Sequence, residues 1–210
     1  TRPYHQRMDR DGALTVERAT LSRLPHLASV LGRAFAHDPM TQWPFDGNAS
    51  VETITSIFAL LYEHPVELGF VWEAGDGAGV AAWVPPGAAE LLSASDETAR
   101  TKYEPLMPDR GDRYREMWGW LESFVADDAW YLDAIGVDPA RQRSGVGGVL
   151  IRHGLALAAK DGAPAFLETS AAANIPYYER FGFNVVDQGD APNGGPHIWF
   201  MRREGERPPS

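Results

Sequence analysis

Apolar residues recur along this chain in two rhythms. In SRLPHLASVLGRAFAHDP (22–39) and SVETITSIFALLYEH (50–64) they return every three or four positions, which predicts two helices. Ser22 is the expected N-cap of the first helix and Asp38-Pro39 its stop, and Pro65 is the expected end of the second. LTVERAT (14–20) alternates and reads as a strand. GFVWEAGDGAGVAAWVPPG (69–87) holds two β-rich runs around Gly-Asp-Gly-Ala-Gly, a hairpin closed by Pro85-Pro86. Residues 88–128 interrupt the strand order with two predicted helices, 88–104 and 111–126, and read as an insertion. AWYLDAIGV (129–137) predicts a strand, Val146 to Lys160 a helix with Gly162 at its C′ position, and PAFLETS (164–170) another strand. A short helix follows at 174–181, ending at Gly182, and FNVVDQG and PHIWFMRR finish as an antiparallel pair.

Strand, helix and strand from 129 to 170 imply a right-handed parallel crossover. With the hairpins this predicts an α/β (α+β) fold: a central mixed, mostly antiparallel sheet of six to seven strands with helices on both faces. The 210 residues suit one domain, with a mobile N-terminus at 1–12, the insertion at 88–128, a core at 129–203 and a tail at 204–210.

Composition narrows the chemistry. No cysteine is present, which excludes disulfides, a thiol nucleophile and thiolate metal sites. The six histidines are scattered without ligand spacing, so no metal is expected. A net charge of −10 argues against nucleic acid as a partner and suits a cationic small substrate. No window approaches the apolar length of a membrane span, and residues 1–12 lack a signal-peptide core. The expectation is a cytoplasmic protein with no nucleic-acid and no membrane partner.

RQRSGVGG (141–148) carries the sharpest signal: three glycines in four positions, behind two arginines, between a strand and a helix. The first N–H groups of a helix lack intrahelical partners and carry the positive end of its dipole. Glycines let an anion approach them, a phosphate or pyrophosphate site. Gly148 is followed by Val149 and Leu150, so a Walker loop fails; the third glycine is misplaced for a dinucleotide fingerprint. The pattern Q/R-x-x-G-x-G/A fits Gln142, Arg143, Ser144, Gly145, Val146 and Gly147. It resembles the coenzyme A loop of the GNAT acetyltransferases. Gly148 lies outside that pattern, and close packing of the helix onto the sheet is the expected reason for it.

The order of elements and the run PAFLETSAAANIPYYERFGFNV are similar to the same family, and within it to the puromycin N-acetyltransferases, well over 129–203 and loosely over 13–86. The resemblance implies acetyl transfer from acetyl-CoA to an amine by direct attack, a splayed parallel strand pair binding the cofactor, and a homodimer through C-terminal strands as one open assembly. It implies a bulge near Ile135 that frees strand N–H groups for the thioester carbonyl, with Ile135 and Val137 beside the cofactor. Strict alternation puts Tyr131, Asp133 and Ile135 on one face. Tyr178 stands at the family's usual tyrosine, a proton donor to the leaving thiolate, with Tyr177 as its rival. Asp133 and Glu168 are the candidate bases, each a charge inside an apolar strand. Asn174 matches the asparagine that holds the pantetheine arm, or caps the short helix. Trp118 and Trp120, with Tyr131, are candidates for an acceptor pocket, against a plain core reading. Two other functions stay open: acetylation of a protein amine, and a coenzyme A-binding protein without catalysis.

Overall fold

The computed structural model describes residues 14–88, 91 and 99–205. The expected mobile N-terminus, positions 89–90 and 92–98 of the insertion, and 206–210 of the tail lie outside the described residues. Seven strands form one sheet: β1 (Val16–Arg18), β2 (Val71–Ala74), β3 (Gly79–Val84), β4 (Trp130–Val137), β5 (Ala165–Thr169), β6 (Asn184–Asp190) and β7 (His197–Arg203). Their order is β1-β2-β3-β4-β5-β7-β6. Only β4 and β5 run parallel; every other neighbouring pair is antiparallel. Among the described residues no helix is long and apolar enough to cross a membrane.

Helices pack on both faces. α1 (Leu24–Ala34) and α3 (Val51–Leu61) cover one, burying Leu27, Leu31, Ile54 and Phe58 against Val80 and Ala134. Two short helices, α2 (Pro39–Gln42) and α4 (Glu63–Glu67), follow them. α5 (Asp112–Glu122) seats Met117 and Leu121 against Phe166, Ile198 and Phe200. α6 (Val146–Lys160) covers the opposite face, with Leu150, Ile151 and Leu155 against Trp83, Leu132 and Leu167. α7 (Ile175–Glu179) is a single turn whose Tyr178 joins that core.

Gly154 lets α6 lie directly on the sheet: a Cβ there would overlap the indole of Trp83, which is fully buried. Gly154→Ala is expected to lower stability by about 1–3 kcal/mol, the usual effect of overpacking. A shift in the denaturation midpoint with an unchanged m-value checks it.

Three local expectations are corrected. Ser22 does not cap α1; its hydroxyl lies 3.0 Å from the Thr20 hydroxyl, and the helix starts at Leu24 with a proline in its first turn and no side-chain cap. Asp38 is a start rather than a stop: Oδ1 accepts the Thr41 amide at 2.9 Å and caps α2, with Pro39 at the tolerant first position. Pro65 does not end a helix, because it falls in the first turn of α4, where its missing N–H is no loss.

Candidate active site

The parallel pair opens almost at once. The ladder joins Trp130 to Ala165 and Tyr131 to Phe166 and goes no further, although β4 runs on to Val137 and β5 to Thr169. On its other side β4 carries one extra residue. Ala82 pairs with Ala134 and Trp83 with Leu132, so Asp133 stands unopposed in a bulge. The irregularity sits at Asp133, two positions before Ile135.

That bulge overturns the single face expected for Tyr131, Asp133 and Ile135. One extra residue flips every later side chain to the other face. Tyr131 packs in the cluster under α5, Asp133 meets Tyr62 beside α3, and Ile135 and Val137 pack with the core under α6. The three still meet at one place. A cleft of about 1070 Å³ passes through the splay and is lined by Tyr131, Asp133, Ile135, Glu168, Asn174 and Tyr178.

Two tyrosine–carboxylate pairs hold its acidic end. The Tyr62 hydroxyl donates to Asp133 Oδ2, and the Tyr131 hydroxyl donates to Glu168 Oε1 at 2.7 Å. Glu168 Oε2 is buried without a hydrogen-bond partner. Burial pushes the Glu168 carboxyl up to about 8, against the Tyr131 hydrogen bond and with help from the Asp133 charge. Burial also raises Asp133, which the Tyr62 bond opposes. Neither carboxylate has a cationic side chain within ion-pair distance among the described residues. Asp38 is a third acid here: Oδ2 accepts the Ser170 hydroxyl at 2.9 Å and ties the start of α2 to the end of β5.

Tyr178 faces the same cleft from the core side, 7% exposed. Its hydroxyl has no hydrogen-bond partner among the described residues, and burial holds the phenol well above its usual range. Tyr177 points elsewhere: its hydroxyl lies 2.9 Å from where a Gly147 Cβ would stand, at the glycine loop. The two neighbours on α7 thus divide between the cleft and the loop.

The loop is built for close approach. Gly145 caps α6 at φ +90, a conformation L side chains rarely adopt, and a Cβ there would meet nothing within 4 Å. No side chain caps the helix, so its first amides are left to an outside acceptor. Asp138 anchors the approach, accepting Arg33 Nη2 at 2.5 Å and the Ala140 amide at 3.0 Å. The Ser144 hydroxyl donates to Arg141 O at 2.5 Å, so it braces the turn. Gln142 and Arg143 are exposed beside it, and Val146 is buried, which leaves only its backbone to a ligand. Gly148 packs against Phe181 and Arg152 and not against the sheet. Open amides, space over Gly145 and flanking arginines fit the diphosphate of coenzyme A.

Two expectations change. Asn174 does not cap α7 with its side chain; its Nδ2 donates to Thr169 Oγ1 at 3.2 Å. Trp120 lies off the cleft, packed on Phe124 and Phe200 at 5.0 and 5.6 Å, because the helical turn puts it on the face of α5 that meets the sheet end. Trp118 does line the cleft, beside Tyr114 at 5.8 Å, with its buried Nε1 unpartnered. Sequence reading missed Tyr62, Asp38 and Ser170. Only Asp38 carried a readable signal, Asp-Pro-x-Thr as a helix start.

A splayed parallel pair, an uncapped glycine-rich helix start and a cleft between them define an acyl-CoA-dependent acyltransferase fold. The profile of the acetyltransferase (GNAT) family matches residues 63–183, and the chain belongs to that family. It is an N-acetyltransferase acting on amines with acetyl-CoA as donor. An uncharacterized N-acetyltransferase of Schizosaccharomyces pombe is 29% identical over 172 residues, 74% of this chain and 68% of that protein. Two solved structures share the fold. One is a histone acetyltransferase HPA2-related acetyltransferase of Corynebacterium glutamicum, with TM-score 0.63, 22% identity and coverage of 94% and 99%. The other is the Drosophila melanogaster polyamine N-acetyltransferase, which forms N-acetylagmatine, with TM-score 0.65, 12% identity and coverage of 91% and 99%.

Proposed function

We propose that the chain moves the acetyl group of acetyl-CoA directly onto the primary amine of a small molecule, an antibiotic such as an aminonucleoside being the acceptor class. The observation that carries this reading is the unpartnered, buried Oε2 of Glu168, a residue that lines the same cleft as Tyr178 and Asp133. An ammonium entering there meets carboxylates without cationic partners. Glu168 Oε2 takes a proton from the amine, whose lone pair then attacks the acetyl carbon. The carbon–sulfur bond breaks with its electron pair on sulfur, the Tyr178 hydroxyl supplies the proton to the thiolate, and the proton shed by the new amide nitrogen returns the tyrosinate to the phenol. Asn174 lines the same cleft, and in this reading it orients the pantetheine arm. Acetyl-CoA itself supplies the activated acyl group.

The insertion shapes the acceptor side in this reading. Tyr103, Met107, Tyr114 and Trp118 also line the cleft, a largely apolar set suited to a flat body. Thiol release with a panel of amines tests it. Puromycin is expected to exceed agmatine and a lysine peptide at least tenfold in kcat/KM. Turnover confined to the peptide would refute the small-molecule reading.

A further inference from the structure

We propose that Arg152, Arg180 and Tyr177 form a clasp for the third phosphate of coenzyme A, the one on its ribose 3′ oxygen. The inference rests on the coenzyme A reading of the glycine loop and extends it to side chains outside that motif.

Four arginines without a carboxylate partner cluster at one place on this acidic chain. Arg141, Arg143, Arg152 and Arg180 surround the start of α6, and none has a carboxylate within ion-pair distance among the described residues. Elsewhere Arg23, Arg33, Arg113, Arg115 and Arg202 each hold one. The geometry is specific. Arg180 lies over the Tyr177 ring at 4.9 Å, a cation–π contact that steadies an exposed guanidinium. Tyr177 reaches the Gly147 side of the loop, and Arg152 Nη1 lies 3.4 Å from where a Gly148 Cβ would stand. Both arginines act electrostatically on the Tyr177 hydroxyl.

The diphosphate already has the helix amides. Arg152 stems from one turn further along α6 than Gly148, and its guanidinium reaches back beside that glycine. The two guanidiniums flank the amides from outside the loop, and so serve a phosphate that the amides do not hold. A phosphate monoester carries about −1.5 to −2 at neutral pH, and a planar guanidinium binds it through two N–H groups. The arrangement also gives the first tyrosine of PYYERF a task apart from the reacting end.

Equilibrium titration of coenzyme A and 3′-dephospho-coenzyme A tests this without any acceptor. The wild-type protein is expected to bind coenzyme A at least tenfold more tightly. The doubly substituted R152Q/R180Q protein should bind the two ligands equally, with its dephospho-coenzyme A affinity unchanged and an unaltered melting curve. Equal wild-type affinities, or equal losses for both ligands in the variant, would overturn the clasp and leave the loop reading standing. Binding of neither ligand by the wild type would overturn both.

Discussion

Replacing Tyr178 by phenylalanine is expected to lower the turnover number about 10²–10⁴-fold while acetyl-CoA still binds. The ring stays, so the contact with Phe183 at 6.2 Å and the packing under α6 are kept. Only the hydroxyl goes, and it has no hydrogen-bond partner among the described residues to be orphaned. Burial keeps the phenol protonated at every working pH, so the loss should be the same from pH 6 to 9. A structural role predicts something else, a lower melting temperature with turnover intact. The binding constant for acetyl-CoA, measured beside turnover, separates the two. Tyr177→Phe is the contrast: that hydroxyl lies at the glycine loop, so its loss should fall on the affinity for acetyl-CoA and not on turnover at saturating acetyl-CoA.

Glu168→Gln should abolish the rising limb of kcat/KM expected of the wild-type enzyme near pH 8, and lower the rate about 10²–10⁴-fold. The limb belongs to a carboxyl held up to about 8 by burial. An alkylammonium acceptor titrates near 10, so its own limb lies higher and survives the substitution. Asp133→Asn should move the Glu168 limb to lower pH, because the Asp133 charge helps hold that carboxyl up. An unchanged profile in Glu168→Gln would remove it from proton transfer. Stability carries a second signature. Between about 4.3 and about 8 the folded chain holds a proton on Glu168 that the unfolded chain has released, so stability falls as pH rises through that window. Glutamine cannot ionise. The variant should therefore melt above the wild type at pH 9, and the difference should shrink at pH 5.

The glycine loop and its helix were legible because their causes are local. Gly145 must be left-handed, and Val146 to Lys160 carries its own helical rhythm. The pairing of the final strands was legible for the same reason. The site's second half was not. Tyr62 meets Asp133 across 71 positions, and nothing near LLYEH announces the partner. The faces of β4 were misread because alternation assumes an unbroken ladder, and the extra residue at Asp133 breaks it. Trp118 and Trp120 looked equivalent in MWGW, yet they are about 200° apart on α5, and only Trp118 lines the cleft. Burial explains Glu168 better than position does: an acid inside FLETS signals either an ion pair or a functional group, and only the buried, unpartnered Oε2 chooses between them.

The proposed transfer is direct, from acetyl-CoA to an amine, by a chain with no cysteine to carry an acyl group. A rapid-quench experiment with acetyl-labelled acetyl-CoA and excess amine tests that claim most directly, following thiol, acetylated amine and labelled protein together. Direct transfer predicts thiol and N-acetylated product rising at equal rates in equal amounts, with no label on the protein at any time. Label appearing on the protein before product, or thiol released without N-acetylated amine, would contradict it.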